Sequence, residues 1–210
     1  MWRSCRMGLF NAIAVGILVF AAPQAQAAAD AGQVVGVAGQ AAIVSGGQRA
    51  AAKLGDALHV GDTVEVSANS KLKMRMVDGS VISAAAGTQM TIQSYSASGG
   101  QRQDAAVALA SGLLRSVVSS TSQPARFEVD TATGTAVTRS TDWFIEVQQG
   151  NSMQVGVLTG TVAMTSRQTS RSVTIPAGWG ARLEAGRDPV PARVWTPAEF
   201  SAVITRTDVP

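Results

Sequence analysis

Three stretches of the chain hold residue types able to do chemistry. In Gly55-Asp56-Ala57-Leu58-His59-Val60-Gly61-Asp62 the single histidine has a carboxylate three residues to either side. A metal site or a histidine–carboxylate dyad uses such groups. Each acid follows a glycine, however, and Gly-Asp is turn chemistry at the ends of a short strand. With no third ligand in view, the turn reading is preferred. The second stretch, Val129–Val147, sets hydroxyls around Gly134 and leads through Arg139-Ser140-Thr141-Asp142 into Trp143-Phe144. A phosphate cradle needs successive glycines opening a helix. Gly134 is alone, and the Ala136-Val137-Thr138 that follows, with β-branched Val137 and Thr138, is strand-like. Trp143, Ile145 and Val147 alternate with Asp142, Phe144 and Glu146, which predicts a strand with one buried face. Gly134, Arg139, Thr141, Trp143 and Ile145 are thus structural positions, and Arg139 is expected to pair with a nearby acid.

The third stretch is Lys71-Leu72-Lys73-Met74-Arg75-Met76. Its period of two turns Leu72, Met74 and Met76 to the core and Lys71, Lys73 and Arg75 outward. Such a stripe either guards an edge strand from wrong pairing or docks an acidic partner. Trp179, between Gly178 and Gly180, either caps the core or offers a stacking surface to a sugar or a partner protein. Trp195 adds to the glycan alternative. No Gly-x-Ser-x-Gly elbow, His-Glu-x-x-His pair or P-loop occurs, so neither catalysis nor a cofactor nor a metal is expected.

These stretches must be positioned by an exported fold. Arg3 and Arg6, the apolar run Gly8–Ala22, and Pro23 before Ala25-Gln26-Ala27 make a secretory signal ending near Ala27. The apolar run is shorter than the roughly 20 residues of a membrane-spanning helix. The expectation is a periplasmic chain with no membrane span once residues 1–27 are removed. Cys5, the only cysteine, leaves with the signal, so no intrachain disulfide forms. Without Arg3 and Arg6 the mature chain has 15 basic and 14 acidic side chains, which gives no basic field for nucleic acid.

Glycine-centred turns recur from Gly46-Gly47 to Ala177-Gly178, with short alternating runs between them. The runs Thr63–Val66, Gln89–Gln93, Arg126–Val129, Met153–Val157, Thr161–Met164 and Val173–Ile175 read as strands, and Asp78-Gly79 as a hairpin turn. Gln103–Leu114 is read as a strand near Ala106–Leu109 that Ser111-Gly112 interrupts. Thr196, Pro197 and Glu199 form a capping box ahead of Phe200, Val203 and Ile204, which predicts a short C-terminal helix. The fold class is all-β: one domain over 32–194, solenoid-like or sandwich-like, then a helix and tail over 195–210.

The order of the motifs resembles the FecR-type periplasmic domain. They stand as Val35-Gly36-Val37, Val60-Gly61-Asp62-Thr63-Val64, Val77-Asp78-Gly79-Ser80-Val81, Ser111-Gly112-Leu113, Thr133-Gly134-Thr135, Arg139-Ser140-Thr141-Asp142-Trp143-Phe144-Ile145, Val157-Leu158-Thr159-Gly160-Thr161-Val162 and Pro176-Ala177-Gly178. Ser140 and Trp143 stand where the family carries glycine and phenylalanine. The resemblance implies a compact β-solenoid without catalytic activity that binds an envelope protein. Members with a cytoplasmic anti-sigma segment relay signals from TonB-dependent receptors, and no such segment is expected here. A cell-wall or polysaccharide-binding module is the alternative.

Overall fold

The computed structural model describes residues 29–119, 125–148 and 152–209. The expected signal segment lies outside them. In chain order the strands are β1 (Asp30–Ala38), β2 (Ala41–Ser45), β3 (Gln48–Ala51), β4 (Ala57–His59), β5 (Thr63–Val66) and β6 (Lys71–Met76). Then come β7 (Val81–Ala84), β8 (Gln89–Ser98), β9 (Gln101–Val117), β10 (Phe127–Asp130), β11 (Gly134–Thr138) and β12 (Asp142–Gln148). The chain finishes with β13 (Ser152–Thr159), β14 (Thr161–Ser166), β15 (Ser172–Pro176), β16 (Trp179–Glu184), β17 (Arg193–Val194) and helix α1 (Pro197–Thr207).

The strands build two walls that share one strand. The front sheet runs β4-β1-β6-β7-β9-β12-β13-β16-β17. The back sheet runs β3-β2-β5-β8-β9-β10-β11-β14-β15. Residues 101–111 of β9 pair with β8 in the back sheet and residues 112–117 pair with β12 in the front. The bend falls at Gly112, where φ is +91° and a Cβ would strike Thr88. Ser111-Gly112 therefore redirects the strand and does not end it. Only glycine meets both the positive φ and the close approach.

Chain crossings between the walls stack on one another. The Gln40 amide donates to Ser70 Oγ at 2.9 Å, and the Val66 amide to Thr88 O at 2.8 Å. Thr88 Oγ1 in turn accepts from the Leu113 amide at 3.1 Å. The result is a flattened solenoid whose walls form a sandwich. Between them Leu72, Met74, Ile82, Val107, Phe127 and Trp143 are buried, so Met74 and Met76 face inward as the alternation predicts.

A polar cluster with a buried ion pair lies inside. Asp78 Oδ1 accepts from the Ser80 amide (3.0 Å) and Tyr95 hydroxyl (2.9 Å), and Oδ2 from Ser80 Oγ (2.8 Å) and Arg102 Nη1 (2.7 Å). Both side chains of the ion pair are 0% exposed. Arg102 Nη2 also reaches the carbonyls of Ala125 and Arg139. Burial, followed by the charge of Asp78, pushes the Tyr95 hydroxyl far above the ordinary phenol range, so it stays a donor.

Candidate docking face

The cationic stripe lies on β6, and β6 is no edge. It pairs with β1 on one side and β7 on the other. The edge-guarding reading of Lys71, Lys73 and Arg75 is corrected accordingly: the local pattern of a strand does not reveal its neighbours. The stripe faces outward from the front sheet, where α1 lies. Lys71 Nζ donates to Thr205 O (2.7 Å) and Asp208 O (2.9 Å), and Lys73 Nζ to Val209 O (3.1 Å). Carbonyls in a helix's last turn have no intrahelical partner and carry its negative end, so ammonium groups suit them. Arg75 is exposed and stands apart, beside Asp30 and Gln33 in a cleft of about 320 Å³.

The helix forms where the capping box places it. Thr196 accepts from the Glu199 amide while Glu199 accepts from the Thr196 amide. Arg193 pairs with Glu199 at 2.6 Å. That hydrogen bond, then the Thr196 amide, holds the Glu199 carboxyl down at about 2. Arg206 reaches Glu146 on β12 at 2.6 Å.

Beneath the helix a single row crosses the front sheet. Lys73, Ser83, Arg115, Phe144, Gly156 and Gly180 are successive cross-strand partners. A Cβ on Gly156 would collide with the Phe144 ring, and one on Gly180 with the Trp195 indole. The two glycines thus leave a bare backbone floor for two aromatic rings. Phe144, Trp195 and Phe200 pack with centroids 5.1, 6.2 and 5.5 Å apart. At the other end Arg115 holds Asp142 through two bonds of 3.0 and 2.8 Å. The hydrogen bond to Asp142 pushes the Arg115 guanidinium further up.

This arrangement alters several expectations. By alternation Phe144 lies opposite Trp143 and Ile145, and it is buried as well, because α1 and Trp195 cover that face. Trp195 is 8% exposed and so offers no surface to a glycan. Trp179 keeps the inner-face alternation of Ala181 and Leu183 but remains 37% exposed at the rim. Gly134 opens β11 tightly: Thr131 Oγ1 accepts its amide at 3.0 Å, and a Cβ would strike Thr165 O and Leu183. The hydroxyls there close a turn. Thr141, Trp143 and Ile145 are buried. Arg139 was expected to pair with an acid, but among the described residues its side chain has no ion-pair partner, and it borders an open cleft with Arg126, Ser140 and Thr161. Asp56 and Asp62 accept from the Lys53 and His59 amides at 2.7 and 2.8 Å, the turn geometry expected. Among the described residues no cluster of His, Cys, Asp and Glu could hold a metal, and no helix is long and apolar enough to cross a membrane.

The fold and its covered face define an all-β, two-walled solenoid domain. Residues 62–163 match the family model described as FecR protein, and the chain carries a FecR domain. The match runs from the turn before β5 into β14, so β16, Trp195 and α1 lie beyond it. No curated protein matches the chain. Two crystal structures of a candidate anti-sigma factor from Parabacteroides distasonis ATCC 8503 share the fold, each with a TM-score of 0.55 at 15% identity. The likeness covers 67% of this chain and 63% and 62% of theirs.

Proposed function

We propose that this protein is a non-catalytic interaction domain of the FecR type, exported to the periplasm, where it takes part in signalling by binding an envelope protein. The FecR match over residues 62–163 carries the reading. The fold shared with a candidate anti-sigma factor supports a signalling role. A face with both an apolar floor and paired cations suits a protein partner more than a small molecule. In intact cells, cross-linking of the full chain is expected to recover one envelope protein repeatedly, and periplasmic fractionation to recover the chain itself. Repeated recovery of free monomer alone contradicts the reading. The glycan alternative retains one supporting observation, the 37% exposure of Trp179. A flat tryptophan-fluorescence titration with cell-wall fragments is the outcome expected.

A further inference from the structure

The face under α1 has two unlike ends. Around Phe144, Gly156 and Gly180 it is apolar and flat; around Lys71 and Lys73 it is cationic, while Arg115 between them is neutralised by Asp142. We propose that this face is a receptor site for an amphipathic helix of a partner protein, and that α1 is its resident self-ligand, displaced when the partner binds. The inference rests on the interaction-domain reading and names the chemistry of the partner.

Four observations support it. The contacts of α1 form a cluster of their own, with Ala85, Leu113, Phe144, Trp195 and Val203, separate from the core between the sheets. Departure of the helix therefore leaves the core closed. Within α1 only Val203 and Thr207 are buried, so few side chains hold it. Lys71 grips the carbonyls of Thr205 in the last turn and Asp208 at the C-cap, a feature any helix end presents, and Lys73 that of Val209 just beyond. The segment 185–192, which precedes β17 and α1, contains no strand, leaving room for a hinge.

The same contacts describe the partner. Its helix carries a large apolar residue near the start, an aliphatic one three positions later and a small residue four beyond that, as Phe200, Val203 and Thr207 do. Its C-terminal end lacks clustered cations, because Lys71 and Lys73 would repel them, although one cation placed as Arg206 is can pair with Glu146.

The test uses the full chain and a fluorescein-labelled peptide of residues 193–209. Val203→Asp loosens α1 by placing a charge on its buried side and leaves the sheet face unaltered. The peptide should then bind at least about tenfold tighter than to the unaltered chain, because the tethered competitor is weakened. Phe200→Ala, a milder change, should act in the same direction. Adding Lys71→Gln and Lys73→Gln to Val203→Asp should reverse the gain. The proposal is overturned if both loosened variants keep a native sheet signal yet bind the peptide no better. It is equally overturned if both unfold the sheets, because α1 would then belong to the core. Either failure leaves the cross-linking test untouched, so the helix site can fall while the interaction reading stands.

Discussion

The ammonium group of Lys71 closes the open end of α1 and that of Lys73 holds the residue after its cap, and residue chemistry explains why two cations sit on a paired strand. A cation at a helix C-terminus contributes about 0.3–1 kcal/mol, too little to dominate the fold and enough to bias one helix. Lys71→Gln with Lys73→Gln should therefore leave the melting temperature nearly unchanged while amides of residues 205–209 exchange faster by NMR. An unchanged exchange rate there would show that the carbonyl contacts hold nothing. Glu199 makes a pH prediction. Its folded pKa lies at about 2, below its ordinary 4.5, so its contribution is complete above pH 4.5 and is lost as pH falls toward 2. Trp195 fluorescence should shift across that window, and Glu199→Gln should remove the step. The alternation that places Trp143 and Ile145 between the sheets does not show what buries Phe144, whose cover arrives from Trp195 and Phe200, far along the chain. The sequence did hold a signal: Gly156 and Gly180 sit inside strands, where glycine marks close approach of another group.

At the scale of elements, the strands were legible and their neighbours were not. Thr63–Val66 matches β5, and Met74 faces the core, because hydrophobic periodicity is local. Which strand lies beside β6 depends on β1, set more than thirty residues earlier, and no local pattern encodes that. Ser111-Gly112 misled for a related reason: a glycine at positive φ serves a turn and a strand bend alike. Asp78 was legible as a hairpin residue but not as the centre of a buried cluster, since Tyr95 and Arg102 reach it from β8 and β9. Arg102→Met leaves that carboxylate buried and unpaired, a loss of about 3–5 kcal/mol to be read as a lower urea midpoint. A midpoint equal to that of the unaltered chain would show that Asp78 finds water. Met74→Asp buries a charge between the sheets and should unfold the domain, with loss of the near-ultraviolet dichroism of Trp143. A folded Met74→Asp protein would contradict the register of β6.

At the scale of the molecule, one long strand joins two sheets, and the FecR match covers the middle of that construction but not the helix laid across it. The all-β class, the C-terminal helix and the family were all legible, the last through the order of turns and strands. The docking of α1 on the front sheet was not, because it joins distant residues, partly through main-chain carbonyls that no side-chain pattern records and partly through Phe200 and Arg206 reaching Phe144 and Glu146. The central claim is that α1 covers the front sheet as a separable unit. Native-state hydrogen exchange on the full chain tests it most directly, since local opening and global unfolding differ in free energy. Amides of residues 201–208 should exchange at least about a hundredfold faster than those of β9 and β12, with sheet protection intact while they do. Equal protection of α1 and β9, lost together in one step, would contradict the account.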